Sequence, residues 1–299
     1  MSKAELKTGS KAERDQSAGR FSEKTVTVIG AGKMGGVLVD ALVGAGVSVE
    51  KIRITVKHGD RINRLTEQLG LQALTDNVAA VSGADIVLLC VKPQHAAEVL
   101  AEVAPSLSAG TLLISIATAL STEWIESALK APIAVVRAMP NTAARIGKGM
   151  TVLCRGRYAS EESIAVAESL FGLMGRTAEV DELHMDAVTG LSGSGPAFIY
   201  MILEALAEGG VRVGLPRDVA TMLAAQATLG AAAMVLQTGQ HPAVLKNEVT
   251  TPGGCTVDGL LELEDGKIRA TLIRAIAITA QKAGQLSPKP LAADRTSHS

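Results

Sequence analysis

The apolar positions of the first half fall in short unbroken runs, separated by stretches of helical spacing. Thr25–Gly30 (TVTVIG) is a β-branched run that ends in glycine, and apolar residues then recur at helical spacing over Lys33–Val43. Ile52–Val56 reads as a second strand and Asp60–Leu69 as a helix closed by Gly70. Ile86–Val91 (IVLLCV) is apolar throughout, as a strand buried on both faces requires. Thr111–Ile116 and Ile133–Ala138 are similar runs, with helices predicted over Gln94–Val103 and Thr122–Leu129 between them. Such alternation implies right-handed βαβ crossovers and a doubly wound parallel sheet. Thr151–Cys154 and Thr177–Val180 are candidates to extend it, flanking a helix at Glu161–Leu170.

After about residue 180 no convincing strand is found. Asp181–Thr189, Pro196–Val213, Pro216–Gln237, Thr256–Glu264 and Ile268–Leu286 all read as helix, with Pro196 and Pro216 at first-turn positions. The expected organisation is therefore an extension at 1–22 without order, an α/β domain at 23–180, an all-helical domain at 181–286 and a polar tail at 287–299. The helices from Pro196 to Leu236 carry Ala, Leu, Val and Met on more than one face. Either a second subunit or the α/β domain must cover that surface. Val219–Leu245 is long and uncharged but mostly Ala, Gly, Thr and Gln, which reads as a helix buried on most sides, not a membrane span.

Charge narrows the function classes. Lys and Arg number 29 against 30 Asp and Glu, so no long-range field draws the chain to nucleic acid or an anionic membrane. Only six residues are aromatic (one Trp, two Tyr, three Phe), which leaves few platforms for stacking bases. Cys90, Cys154 and Cys255 form no CxxC pair and read as free thiols of a reducing, cytoplasmic compartment. The histidines show no metal-ligand spacing, and no metal is expected. Residues 1–22 lack the apolar segment of a secretory signal.

Gly30-Ala31-Gly32-Lys33-Met34-Gly35 matches GxGxxG, follows a strand and opens a helix, which is the context a dinucleotide-binding Rossmann domain requires. Gly30 suits the tight turn, Gly32 a close approach to pyrophosphate, and Gly35 close packing of helix on strand. The second strand ends at Thr55-Val56-Lys57-His58 without the acidic residue that would hold a ribose 2′-hydroxyl. Lys57, His58, Arg61 and Arg64 place positive charge where a 2′-phosphate would sit, so NADPH is expected, with NADH left open. Arg61 and Arg64 also fit an ordinary solvated helix face. Val91-Lys92-Pro93 and Arg137–Thr142 follow strands and belong to the same edge, where an Asn could bond a carboxamide.

Two further segments stand out. Leu191-Ser192-Gly193-Ser194-Gly195-Pro196 and Thr250-Thr251-Pro252-Gly253-Gly254-Cys255-Thr256 are small-residue turns that run into helices. Each can expose backbone N–H groups as an anion site for a small carboxylate, and each could equally be a hinge.

Together with GAGKMG (Gly30–Gly35), VKP (Val91–Pro93) and RAMPNT (Arg137–Thr142), the later runs DAVTGLSGSGPAF (Asp186–Phe198), GLP (Gly214–Pro216) and TPGGCTVDGLLELE (Thr251–Glu264) give a chain that resembles the pyrroline-5-carboxylate reductases. The matches keep the family's order from about Thr25 to Leu286, with Ala143, Phe198 and Cys255 as departures. The resemblance implies reduction of L-1-pyrroline-5-carboxylate to L-proline, the last step of proline biosynthesis. It implies an NAD(P)H cofactor and a homodimer through the helical domain, from which larger rings can assemble. It further implies that Thr251, Gly253, Gly254, Cys255 and Thr256 bind the substrate, its carboxylate on backbone N–H groups and its ring nitrogen on the Thr256 hydroxyl. Asn77 is then expected at the adenosine side, and Val91, Lys92, Pro93, Met139 and Asn141 along the cofactor.

Two other assignments compete. A 3-hydroxyacid dehydrogenase would need a base, usually a lysine, on the first long helix of its second domain, and Pro196–Glu208 has none. A non-catalytic nucleotide sensor would have no use for the glycine-rich turn at Thr251–Thr256.

Overall fold

The computed structural model describes Phe21 and residues 23–57, 70–129 and 131–286. Eight strands form one sheet in the order β3-β2-β1-β4-β5-β6-β7-β8. They are β1 Val26–Ile29, β2 Ile52–Thr55, β3 Gln72–Leu74, β4 Ile86–Leu89, β5 Leu112–Ser115, β6 Ala134–Met139, β7 Gly149–Arg155 and β8 Gly175–Glu179. The first six pair in parallel, and the order of the whole reverses direction between β1 and β4. β7 runs antiparallel to β6 because a short 3-10 turn, Thr142–Ile146, joins them. A parallel return would need a full crossover helix. That condition is met for β8, which lies parallel to β7 after the helix Glu161–Gly172.

Alternate side chains of each strand enter opposite layers. Val26, Val28, Ile52, Ile54, Leu88 and Ile114 pack with Leu38, Val39 and Leu42 of helix α1 (Lys33–Gly44). Ile29, Val87, Leu89 and Leu113 pack on the other face with Ala96, Val99, Leu100 and Val103. These come from α3 (Pro93–Val103); the short α2 (Asn77–Val81) lies between, capped by Asp76. α4 (Thr122–Ala128) adds Trp124 and Ile125 to that second layer, and α5 (Glu161–Gly172) adds Phe171 to the first. Phe21, read from sequence as part of an unstructured extension, is fully buried in the first layer. An aromatic ring at the sheet's flank removes more apolar surface from water than its ordering costs. The helix expected over Asp60–Leu69 lies outside the described residues, as do the rest of the extension and the polar tail.

The described chain divides into two compact units, one of Ser194–Ile278 and one of the remainder, so the division falls after the change of sequence pattern at about residue 180. The turn between the sheet and the long helices is not one helix. It is a 3-10 turn Glu182–His184, α6 (Met185–Val188) and a π-helical turn Thr189–Gly193. The second unit holds α7 (Gly195–Arg212), α8 (Arg217–Thr238), α9 (Pro242–Glu248), α10 (Cys255–Asp265) and most of α11 (Ile268–Gln285). α9 was not anticipated, and Pro216 caps α8 from outside instead of filling its first turn.

α7 and α8 meet closely where a Cβ on Gly210 would lie 2.9 Å from that of Ala220. Otherwise the second unit buries little of itself, since Ala220 is the sole buried residue of α8. The expectation of a helix buried on most sides is thus corrected for the single chain. α8 is also long and apolar enough to cross a membrane. Met222, Leu229, Ile273 and Ile278 each remain more than half exposed, so this apolar surface is left over after the chain has folded.

Replacing Phe21 by Ala should lower the unfolding free energy by about 3–5 kcal/mol, as for a fully buried aromatic. Urea denaturation measures it. A loss under about 1 kcal/mol would show that the ring is not part of the core.

Candidate active site

The strand order reverses between β1 and β4, and loops leaving the carboxyl ends of such a pair frame the ligand crevice of an open α/β sheet. Gly30 leaves β1 with φ +90°, and a Cβ there would lie 3.1 Å from both the Cys90 carbonyl oxygen and Val91 Cγ1. The two loops therefore touch. A Cβ on Gly35 would collide with the Gly30 carbonyl oxygen and lie 3.3 Å from Cys90 Cβ. Only hydrogen at both positions lets α1 start this close to the sheet.

Gly30 and Ala31 both donate their N–H to the Thr55 carbonyl, at 3.2 and 3.0 Å, and Gly32 donates to the Gly30 carbonyl at 2.7 Å. These bonds shape the cradle from its own backbone. The first N–H groups of α1, from Lys33, Met34 and Gly35, are capped by no side chain. Gly32 stands exposed and a Cβ on it would meet nothing within 4 Å, so the approach is open. A diphosphate fits this arrangement of open backbone and uncapped helix.

Lys57 is exposed just beyond β2, and Asn77 opens α2 just beyond β3. Thr55 pairs with Leu74, and Val56 N–H continues the ladder to the Leu74 carbonyl at 3.0 Å, so the two side chains belong to one strand-end edge. The Asn77 amide Nδ2 donates to Glu102 Oε2 on α3 at 2.9 Å. His58, Arg61 and Arg64 lie outside the described residues. Lys92 is the exposed N-cap of α3 and Pro93 fills its first turn, again with no capping side chain. β4 itself ends at Leu89, two residues earlier than expected, so Cys90 and Val91 belong to the loop.

The Asn141 amide braces the first unit. Its Nδ2 donates to the Ser192 carbonyl at 3.2 Å, and its Oδ1 accepts from Met150 N–H at 3.3 Å. One N–H and one lone pair stay over for a carboxamide. Met139 packs against Gly193, where a Cβ would come within 2.7 Å of the Met139 methyl. Arg137, next in the same run, is buried and paired with Glu182 at 3.1 Å. Glu182 also accepts from the Thr122 N–H at 2.8 Å. Nothing local in the sequence marks Thr55, Glu102, Glu182 or Gly193 for these contacts. Their partners lie far away in sequence, and only the Ser192–Pro196 run carried a local signal.

In the second unit, Gly254 N–H donates to the Thr251 carbonyl at 3.0 Å and closes a turn in which Gly253 takes φ +71°. A Cβ on Gly254 would approach Thr251 Oγ1 to 2.5 Å. With Pro252 lacking an N–H and that of Gly254 taken up by the turn, the amides left to face an anion are those of Gly253, Cys255 and Thr256. α10 starts here without a side-chain cap, and Thr256 is exposed on its first turn.

Residues 182–286 match the family described as pyrroline-5-carboxylate reductase dimerisation, and residues 25–119 match the one described as NADP oxidoreductase, coenzyme F420-dependent. The chain is 39% identical over 265 residues to a pyrroline-5-carboxylate reductase of Corynebacterium melassecola, covering 88% of this chain and 98% of that one. It is 41% identical over 263 residues to the enzyme of that name from Arabidopsis thaliana, covering 88% and 95%. This chain belongs to the pyrroline-5-carboxylate reductase family. Among solved structures, the pyrroline-5-carboxylate reductase of Coxiella burnetii aligns with a TM-score of 0.84 at 34% identity over 89% of this chain and 99% of its own. The Plasmodium falciparum pyrroline carboxylate reductase, solved with NADP bound, aligns at 0.81 with 28% identity, covering 90% and 100%. The residues matched by the two family models include the glycine cradle after β1 and the turn ahead of Thr256.

Substituting Gly35 by Ala should destabilise the fold by about 1–3 kcal/mol, because backbone must shift to admit the methyl group. It should also raise KM for NADPH. Gly44→Ala, with nothing within 4 Å of its Cβ position, should change neither. Thermal unfolding and initial rates test both, and equal behaviour of the two variants would refute the close packing at Gly35.

Proposed function

We propose that this chain reduces L-1-pyrroline-5-carboxylate to L-proline with NADPH. The observation that carries this reading is the turn at Thr251–Gly254, with Gly253 left-handed ahead of the uncapped α10, in a chain that spans 98% of a relative of that name. NADPH, when bound, supplies the hydride. Lys33, Met34 and Gly35 would hold its diphosphate on their N–H groups. Lys57 would meet the 2′-phosphate, and Asn77 the adenosine ribose. Val91, Lys92, Pro93, Met139 and Asn141 would line the rest of the coenzyme.

The acceptor is a cyclic imine that carries a carboxylate. The amides of Gly253, Cys255 and Thr256 at the start of α10 suit that carboxylate, since helix N-termini favour negative charge. The Thr256 hydroxyl bonds the ring nitrogen. Once that nitrogen is protonated, the ring carbon of the C=N bond accepts the hydride, the C=N π pair becomes the nitrogen lone pair and proline results. No strongly acidic side chain is required; holding the acceptor still near its reaction geometry supplies much of the rate. Thr256 is assigned to hydrogen bonding on these grounds.

A homodimer through the helical unit is supported by its uncovered apolar surface and by the dimerisation family matched over residues 182–286. A second copy laid on α8 would bury residues that the single chain exposes, and larger rings could assemble from such dimers. The free cysteines suit a reducing, cytoplasmic setting. Burial pushes the Cys154 thiol up to about 12, so it stays protonated and inert.

Purified protein should oxidise NADPH steadily on addition of pyrroline-5-carboxylate, and more slowly with NADH. Thr256→Ala should lower kcat about tenfold or more while the Kd for NADPH stays nearly unchanged. Turnover of a 3-hydroxyacid with no response to the imine would favour the dehydrogenase reading. Equal losses in turnover and coenzyme binding would remove Thr256 from the substrate side. Separately, Leu229→Glu on α8 should shift sedimentation toward monomer; an unaltered mass would exclude this face as the subunit interface.

A further inference from the structure

The amide of Asn77 has one donating and one accepting end of nearly the same shape, so by itself it can present either to a ligand. Its surroundings remove that choice. Asn77 opens α2, and Nδ2 lies 2.9 Å from Glu102 Oε2 near the end of α3, 25 positions away in sequence. An ionised carboxylate only accepts hydrogen bonds, so the NH₂ end must face Glu102. Among the described residues no donor reaches the amide oxygen, and Lys57 stands at the same strand-end edge.

We propose that Glu102 is a positioning residue for the coenzyme: it locks the Asn77 amide in one orientation and leaves the amide oxygen as a fixed acceptor for a ribose hydroxyl at the adenosine end. This rests on the assignment of Asn77 to that end of NADPH. The chemistry follows from the lock. A carbonyl oxygen accepts from a hydroxyl and repels phosphate oxygens, whereas a turned amide would offer N–H to the phosphate. Glu102 therefore tunes Asn77 for a sugar hydroxyl that NADPH and NADH share, and leaves discrimination of the 2′-phosphate to the basic residues nearby. Glu102 is itself exposed, and an exposed bond of this kind adds little to stability. Its effect is felt in binding, where neither the side-chain rotamer nor the orientation of the amide has to be selected anew.

The test is a double-mutant cycle read by steady-state kinetics with both coenzymes. Glu102→Ala should raise KM for NADPH and for NADH alike, by about threefold to tenfold, with kcat unchanged. Asn77→Ala should raise KM at least as much, and adding Glu102→Ala to it should then have no further effect. Glu102→Gln, which keeps an acceptor without enforcing the orientation, should fall between wild type and Glu102→Ala. Melting temperatures should stay at the wild-type value. If Glu102→Ala leaves KM alone while Asn77→Ala raises it, the lock is wrong although the coenzyme assignment stands. If Glu102→Ala acts equally with and without Asn77, Glu102 works by its charge and not through the amide. If Asn77→Ala changes nothing, the assignment of Asn77 falls and the proposal with it. A fall in kcat together with melting temperature would mark Glu102 as structural and overturn the positioning role.

Discussion

The close approach of two backbone turns at the strand-order reversal is the constraint on which the coenzyme half depends. The turn after β1 rests against the loop after β4, and it can do so only because Gly30 and Gly35 lack side chains. With any larger residue, α1 would start farther from the sheet and its first N–H groups would point elsewhere. Thr55 at the end of β2 then holds the turn through two N–H donors, so three strands cooperate in presenting one helix end. The packed layers on both faces of the sheet set those strand ends against one another, which is how the core reaches the chemistry.

The second half repeats the device with different means. Backbone N–H groups stand free of side-chain caps at a helix start shaped by a glycine in the left-handed region, and under the proposed function they would do what a charged side chain does elsewhere. Such donors are fixed by the fold and cost little to organise when an anion arrives. The reaction assigned to the family needs a held carboxylate and a held nitrogen more than it needs an acid. Under the proposed function, that would account for a turn at Thr251–Thr256 rich in glycine.

The helical unit joins folding to association. Its helices bury few of their own side chains and leave Met, Leu and Ile exposed along much of their length. Surface of that kind, in a domain matching a dimerisation family, makes assembly part of stability, because the isolated unit lacks a sufficient core. The same composition makes α8 pass the length and apolarity test for a membrane helix. A subunit interface and a lipid-facing surface draw on the same residues; the match over residues 182–286 favours the first.

Much of the architecture was legible from periodicity. The apolar runs at Thr25–Gly30, Ile86–Val91 and Thr111–Ile116 became neighbouring strands, since a strand buried on both faces must be apolar at every position. The GxGxxG run and the turn ahead of Thr256 were legible too, because glycine records local backbone needs where they arise. Short elements were not: β3 and α2 have too few residues for a period to show, and β7's direction depends on the length of a connection. Phe21 looked like part of a polar extension, and only three-dimensional packing shows it buried. The pairing of Asn77 with Glu102, the Asn141 brace and the bond from Ala31 N–H to the Thr55 carbonyl also belong to the tertiary structure. Sequence by itself determined which segments are strands or helices and where backbone must bend, for those are local energies. The fold alone decided which polar groups are taken and which remain to meet a ligand, because hydrogen-bond partners are chosen in space and not along the chain.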